Sequence, residues 1–393
     1  MNWQSLLETD IQKFITAHKD ADVAALALKK PQNALWNYPL ILEQIKAQQK
    51  ARLKVPHWLD RGHPLIYPPP ALVEQASSQA TALYKASLFI GERFVDLTGG
   101  MGVDSWAMAQ HFQSGQCVEL DRQAAALLEY NFKALGLSNL IIINADAEQF
   151  VETMTPVDLV MIDPQRRDTV RKGKFKLSDC TPDIHRLLPQ LLQKAKCIVL
   201  KTSPMLDITA TIAALGCVSA VHVVEYQGDC KEVLYVLSAD HLETVPIIAV
   251  SIDSAGAPVQ RFTFTAQEEY QARARYSMPL TYLYEPAPAF QKAGGFQLMS
   301  VFYDVYKLHP HTHLYTSETL KPDFPGRIFK IHGLYAPHPG QCPLARANIT
   351  LRNFPGSAES LRKKLKIKDG GEDTLLACTL ENGHKMLIHG RKA

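Results

Sequence analysis

From Arg93 to Ser238 the chain alternates short apolar runs with helix-patterned stretches, and this alternation leaves few architectures open to it. The runs are RFVDL, QCVEL, LIIIN, VDLVMID, CIVLK, VHVVEY and VLYVLS; helix patterns begin at Val103 after the first and at Arg122 after the second. Strands separated by helices must cross over between pairings, which makes their sheet parallel. The last two runs are separated only by QGDCKE, too short for a crossover, so they should pair antiparallel. The expected fold class is α/β, a Rossmann-like, mostly parallel sheet closed by an antiparallel terminal hairpin.

The flanks read differently. Residues 1 to about 60 place Leu, Ile and Ala at helix spacing with few turn signals. RGHPLIYPPP, Arg61 to Pro70, cannot continue a helix and reads as a linker. One helix is expected over ALVEQASSQATALYKASL. Beyond Leu242, PIIAVSID and RFTFTA read as a hairpin, and Pro and aromatic residues then become frequent through YLYEPAPAFQKAGGF. From Phe324 a small α+β unit is expected, with strands at GRIFKIHG, ANITLRNF, TLLACTLE and KMLIHGR and a basic helix near SAESLRKKL. The expected segments are therefore 1–68, 69–242, 243–323 and 324–393.

Length and composition exclude several classes. The chain has 393 residues, enough for two or three domains, and 46% of them are hydrophobic, ordinary for a globular protein. No apolar stretch approaches the ~20 residues that span a bilayer, so no membrane association is expected. MNWQSLLETDIQKF lacks the basic segment and apolar run of a secretory signal. Seven cysteines are scattered without a CxxC pair, which argues against a disulfide framework or a cysteine zinc site, and a cytoplasmic location is expected. A net charge of +3 is too mild to imply nucleic-acid binding by itself. The distribution says more, since Arg362, Lys363, Lys364, Lys366 and Lys368 form a local basic cluster.

Four features follow one another along the alternating region. Asp96-Leu-Thr98-Gly99-Gly100-Met-Gly102 ends the first strand, where glycines let the backbone turn sharply and approach a ligand. A dinucleotide fingerprint would want a further Gly at position 105, which is Ser105. Glu119 ends the next strand, in the range where an acid meets ribose hydroxyls; Asp121 behind it reads as a helix N-cap. Asp146 follows the strand LIIIN, either as a hydrogen-bond acceptor for an adenine amino group or as a solvated loop acid. Asp163-Pro164-Gln165-Arg166-Arg167 follows VDLVMI at the carboxyl edge of the sheet, where such folds bind ligands. Arg166 and Arg167 suit phosphate or carboxylate contacts, or form a solvated basic loop.

VDLTGGMGVDS, the Glu119 strand and DPQRR resemble a family of class I S-adenosylmethionine (SAM)-dependent methyltransferases with a C-terminal THUMP-like domain. EQASSQATALYKA, LSDCTPDI, LKTSPMLDI, YLYEPAPAFQKAGGF, HLYTS and FPGRIFKI extend the resemblance over roughly residues 50 to 393. It implies SAM as cofactor, with Asp96, Thr98, Gly100 and Gly102 in the first SAM motif, Glu119 on the ribose, Asp146 on adenine and Asp163 at the cofactor's reactive end. It implies that Asp163 and Pro164 open the substrate-facing motif, with Arg166 and Arg167 beside them. It also implies a ferredoxin-like domain between YLYEP and HLYTS, a THUMP-like unit after it, and an RNA substrate held partly by Arg352, Arg362, Lys363, Lys364 and Lys366. Enzymes that methylate amino groups usually carry an aromatic residue at the fourth place of the motif, where this chain has Arg166. Enzymes that make 5-methyluridine need a later nucleophilic Cys, and the comparable Lys201-Thr202-Ser203-Pro204 has none, so covalent carbon-5 chemistry is not expected.

Other candidates have plainer readings. His309, His311 and His313 alternate as a metal site would at strand spacing, but Pro310 marks a turn and a polar loop is the preferred reading, with no metal expected. Cys180 and Cys230 lack an evident activating partner. Gln75, Ser77 and Ser78 are placed on the helix before the first SAM strand, facing either the methionine end of SAM or solvent. The leading expectation is an RNA methyltransferase; the alternatives are a methyltransferase for a small molecule or protein, and a silent RNA-binding module that retains SAM.

Overall fold

The computed structural model describes residues 3–59, 64–166, 177–240 and 242–393. It divides into two compact units. The first holds residues 1–226, 231–242 and 252–259, and the second residues 227–230, 243–251 and 260–393.

The first unit opens on helices α1 (Thr9–Ala17), α2 (Val23–Ala27) and α3 (Tyr38–Lys54). Asp22 and Asn37 start α2 and α3 by accepting from backbone N–H groups that have no helical partner. Leu6, Ile11, Phe14, Leu40, Ile41 and Ile45 make their shared core. Residues 64–69 have no regular structure, as their prolines require, yet two buried side chains satisfy their backbone. Gln44 donates to Leu65 O and accepts from Tyr67 N, while Asn131 accepts from Ile66 N and donates to Ile66 O.

The expected single helix after the linker is two helices, α4 (Pro70–Gln75) and α5 (Gln79–Ser87). The chain breaks because Ala76 and Ser78 are extended, and Ser78 Oγ accepts from Thr81 N as the cap of α5. Lys54 Nζ donates to the carbonyls of Glu74 and Ala76, capping the end of α4. Ser77 therefore sits in the break rather than on a helix.

The alternating region then runs β1 (Gly91–Asp96), α6 (Val103–Met108), β2 (Phe112–Glu119), α7 (Arg122–Ala134), β3 (Leu140–Asn144), α8 (Ala147–Thr153) and β4 (Val157–Ile162). After it come β5 (Gln165–Arg166), β6 (Cys180–Thr181), α9 (Ile184–Lys194), β7 (Ala195–Thr202), α10 (Ile208–Leu215), β8 (Val218–Tyr226) and β9 (Asp229–Leu237). The strands are ordered β8-β9-β7-β4-β1-β2-β3, and β7, β4, β1, β2 and β3 are mutually parallel. Strand β9 runs antiparallel to β7 and is hydrogen-bonded along its other edge to β8. The turn between β8 and β9 is tighter than QGDCKE suggests. Only Gln227 and Gly228 form it, both at positive φ (55° and 75°), as a two-residue hairpin turn demands. The central strands bury Phe94, Val95, Leu159, Val160, Ile198 and Val199 almost completely.

Next come β10 (Pro246–Ile252), β11 (Pro258–Thr265) and α11 (Ala266–Gln271), which a Thr265–Glu268 capping box starts. The second unit contains a seven-stranded sheet ordered β13-β14-β12-β15-β18-β17-β16. Its elements are β12 (Tyr282–Pro286), α12 (Pro288–Ala293), α13 (Phe296–Phe302), β13 (Tyr306–His309), β14 (Thr312–Ser317), β15 (Gly326–Tyr335), β16 (Asn348–Arg352), α14 (Ala358–Leu365), β17 (Thr374–Thr379) and β18 (Lys385–Lys392). Because β12 pairs with β15, and β15 with β18, strands from both sides of Phe324 share one sheet. No helix among the described residues is long and apolar enough to cross a membrane.

Candidate active site

The carboxyl ends of β1, β2 and β4 meet at a cavity of about 440 Å³ in the first unit. Asp96, Thr98, Gly100, Gly102, Glu119 and Asp163, gathered from 68 positions of sequence (163 − 96 + 1), all line it. The parallel register explains the convergence, since a residue ending each such strand lies on one sheet edge.

The loop after β1 is built for close approach. Gly100 and Gly102 stand at φ +53° and +82°. A Cβ on Gly102 would lie 2.6 Å from Phe132 Cζ and 2.7 Å from Leu128, so position 102 admits only glycine. Glu119 organises the same turn, with Oε2 accepting from Gly100 N at 3.0 Å and Oε1 from Asp121 N at 3.0 Å. Asp121 caps α7, as its sequence position suggested.

Asp96 is buried and fully engaged. Oδ1 accepts from Thr98 N (2.9 Å) and Thr98 Oγ1 (3.3 Å), and Oδ2 accepts from Ser105 Oγ at 2.6 Å. Burial pushes its carboxyl up to about 6, and the Ser105 and Thr98 hydrogen bonds offset only part of that. Ser105 thus occupies the place of the missing glycine and holds Asp96. Thr98 Oγ1 also accepts from Asp163 N at 2.8 Å, which ties the first loop to the fourth strand's end.

A largely buried ionic cluster lies at the carboxyl ends of β4 and β7. Lys201, ending β7, lies 2.5 Å from Asp163 Oδ2, donates to Ser77 Oγ at 3.0 Å and lies 3.8 Å from Asp104 Oδ2. Lys85 of α5, fully buried, donates to both oxygens of Glu232 (2.6 and 2.8 Å) and lies 3.1 Å from Asp104. Ser77 Oγ also donates to Asp104 at 2.7 Å. Burial alone would discharge Lys201, but Asp163, Asp104 and Glu232 outweigh it and raise its pKa above the ordinary lysine range. For Asp104, likewise, burial is opposed by Lys85 and Lys201, and the net shift is downward. Ser77, Asp104 and Lys201 line the cavity; the sequence offers Ser77 as a candidate contact and Lys201 only as the first residue of Lys201-Thr202-Ser203-Pro204. A lysine closing the apolar run CIVLK was the available signal for the second partner.

At its other end the cavity is walled by Trp3, Leu6, Leu40, Ile66, Tyr67 and Leu127. The N-terminal helices and the proline-bearing segment therefore line the same chamber as the glycine loop. Tyr67 is buried there, and no described residue hydrogen-bonds its hydroxyl.

Other expected site residues lie elsewhere. Asp146 is outside the cavity lining; its Oδ1 caps α8, accepting from Glu148 N and Gln149 N. Pro164 follows Asp163, and Gln165–Arg166 pair with Cys180–Thr181. Arg167 lies outside the described residues. In the second unit, Arg352 does not project freely: it lies 2.7 Å from Glu285, which is 2% exposed and also paired with Arg327. Arg362 pairs with Asp369 and Lys363 with Glu359. Lys366 does not share a helical face with Arg362, because α14 ends at Leu365 and Lys366 is left-handed (φ +57°). His309 and His313 stand on either side of the β13–β14 turn. His313 stacks on Phe296 with ring centroids 3.4 Å apart, and burial takes its pKa down to about 4. Cys180 is buried.

The residues present fit SAM. The cavity has the volume of a small-ligand site, the glycine turn allows the backbone to approach, and acids stand at both ends of the loop. A doubly wound sheet with a glycine turn after β1, an acid ending β2 and Asp-Pro after β4 defines a class I SAM-dependent methyltransferase. Residues 282–325 match a ferredoxin-like domain model and residues 341–392 a THUMP domain-like model. The solved structure of a protein named as a candidate methyltransferase, from Porphyromonas gingivalis W83, is 30% identical to this chain, with a TM-score of 0.86 over 100% of this chain and 99% of that one. The chain belongs to that protein's family, SAM-dependent methyltransferases with a C-terminal THUMP-like domain.

Two further solved structures cover only part of the chain. A Streptococcus mutans protein named as a candidate methyltransferase, solved with S-adenosylhomocysteine, is 9% identical with a TM-score of 0.31, covering 39% of this chain and 93% of that one. An rRNA methylase from Streptococcus thermophilus is 14% identical with a TM-score of 0.31, covering 40% and 93%. At those scores neither likeness carries weight for this chain. No curated protein matches it.

Proposed function

We propose that the chain transfers the methyl group of SAM to RNA, with residues 69–242 performing the chemistry and residues 324–393 holding the RNA. The observation that carries this reading is the THUMP domain-like match at residues 341–392 in a chain that also has a cofactor cavity. When bound, SAM supplies an electrophilic methyl group. The chain's task is then to align an acceptor with it and exclude water.

In this reading Gly100 and Gly102 admit the cofactor against the backbone, Glu119 accepts from ribose hydroxyls, and Asp96 and Thr98 face its charged amino-acid end. Asp146, whose Oδ1 caps α8, offers Oδ2 to an adenine amino group. Asp163 accepts a hydrogen bond or a proton from the acceptor atom. Lys201 fixes the direction of that carboxylate, and Pro164 restricts the backbone that carries it. Arg166 and Arg167 contact a phosphate of the substrate, a role that rests on their place in the sequence motif.

Methyl-labelled SAM, incubated with the protein and separate RNA, protein and metabolite fractions, tests the reading. Label in RNA is the expected result. Label confined to protein or metabolites overturns the RNA assignment, and label in no fraction describes a chain that holds its ligands without transfer.

A further inference from the structure

The second unit has a groove of about 700 Å³ that no sequence motif identified. Four segments form it: the chain after β15 with Pro337 and His338, the β16–α14 loop with Phe354 and Pro355, α14 with Leu361 and Lys364, and the β17–β18 turn with His384, running into Lys385 and Met386 at the start of β18. The floor is apolar. The rim carries two lysines and two histidines, all exposed. Among the described residues that line it there is no carboxylate. Lys364 and Lys385 have no ion-pair partner among the described residues, whereas the neighbouring Arg362 and Lys363 pair with Asp369 and Glu359.

Phe354 is held in place before any ligand arrives. Asn353 and Gly356, at φ +50° and +90°, bracket it. Thr379 Oγ1 donates to Asn353 O at 2.5 Å, and Asn353 Nδ2 donates to Thr312 Oγ1, so the loop is pinned to two strands. The ring packs against the cluster of Leu361, Leu365 and Leu375, is half-buried and lines the groove.

We infer that this groove binds an unpaired nucleotide of the RNA, its base against Phe354 and its phosphates at Lys364 and Lys385. The inference rests on the RNA reading above and names the surface that serves it. An apolar floor that includes the Phe354 ring, ringed by cations and without an acid, matches a ligand that joins an aromatic face to negative charge. A duplex presents phosphates but hides its bases, so it would use the cations and leave the floor empty; a splayed base uses both.

The test uses the full chain, a fluorescent ten-nucleotide oligouridylate, an RNA duplex of equal strand length, and total tRNA. The single strand should bind more tightly than the duplex. Phe354→Ala should weaken it about tenfold, the range of one lost stacking contact. Because Phe354 also packs on the core, Phe354→Leu accompanies it, keeping the packing and losing the stacking; a folded Phe354→Leu with the same loss supports the inference. Lys364→Gln with Lys385→Gln should weaken binding and flatten the salt dependence by about 1.4 in log–log slope, two phosphates' worth for a single strand. Lys196→Gln, at the start of β7 and away from the groove and the cavity lining, should change neither. If tRNA and the oligouridylate bind the double variant with unchanged affinity and slope, the groove is overturned and the RNA reading stands. If no RNA binds the unsubstituted chain, the RNA reading fails and the groove assignment with it. Tighter binding of an acidic phosphopeptide, in competition at the groove, also overturns it.

Discussion

Replacing Lys85 by Met tests whether the ionic cluster behind the cavity holds the first unit together. The side chain is wholly buried, and its ammonium donates to both oxygens of Glu232 and to Ser77 while lying 3.1 Å from Asp104. Met is unbranched and close to Lys in length, and it removes the charge together with the N–H donors. Glu232, 3% exposed, would then keep its desolvation without its bidentate partner. Removing one member of a buried pair costs about 3–5 kcal/mol. For a unit of this size, about 2–4 °C accompanies each kcal/mol, so the melting transition should fall by roughly 6–20 °C. Trp3, Trp36, Trp58 and Trp106 are all the tryptophans of the chain and all lie in the first unit, so intrinsic tryptophan fluorescence during urea titration follows that unit selectively. The reasoning further requires that Lys85→Met with Glu232→Leu recover most of the loss, because an apolar pair leaves no unpaired charge there. A single variant within about 1 kcal/mol of the unsubstituted chain would show that solvent reaches the cluster. A double variant no better than the single would show that the loss comes from packing.

Four further outcomes can be measured at the site. Asp96 ionises at about 6 in the folded chain against 3.8 ordinarily, so the stability from its raised pKa is complete below the lower value and is lost as pH rises to about 6. Asp96→Asn, whose Oδ1 can still accept from Thr98 and whose Nδ2 donates to Ser105 Oγ once that hydroxyl turns, should therefore gain up to about 3 kcal/mol at pH 7 relative to the unsubstituted chain and nothing near pH 3.5; parallel urea titrations with the same pH profile for both chains would refute the assignment. Glu119→Ala should weaken S-adenosylhomocysteine binding by about 1–3 kcal/mol through lost hydrogen bonds to the ribose and to Gly100 N, and calorimetry giving unchanged affinity would remove Glu119 from the site. Asp163→Ala should abolish transfer with cofactor affinity largely kept. Lys201→Met should lower kcat more than it raises KM for the acceptor, and Lys201→Arg should restore part of it; retained turnover in Asp163→Ala would make that carboxylate structural.

The parts of the site that were legible in the sequence share one property: each lies at the end of a strand. Asp96, Glu119 and Asp163 close apolar runs, and the parallel sheet that those runs imply brings all three to one edge. Local chemistry decided Asp121 as well, because a helix cap needs only the residues that follow it. The break between α4 and α5 is also written locally, in Ser77-Ser78, but helix propensity on both sides of it in ASSQATALYKA hides it.

The ionic cluster was not legible because its geometry is fixed only by tertiary register. Lys85 and Glu232 are 147 positions apart, and Lys201 and Ser77 are 124 apart. Each looks alone like an ordinary surface charge on an amphipathic element, and nothing in either segment specifies that α5 lies against the ends of β7 and β9. Arg352 shows the same limit in the second unit. In ANITLRNF it reads as a cation available to phosphate, yet Glu285, from a strand 67 positions earlier (352 − 285), is buried and takes it inward. A carboxylate inside an apolar run, as in YLYEP or KEVLYVL, is the one local sign that a distant cation has been claimed, since such a group is rarely buried unpaired. By that criterion Arg352 and Arg327 belong to Glu285 and Lys85 to Glu232. Lys364 and Lys385, which no buried acid claims, are left as the cations able to meet a phosphate at the groove.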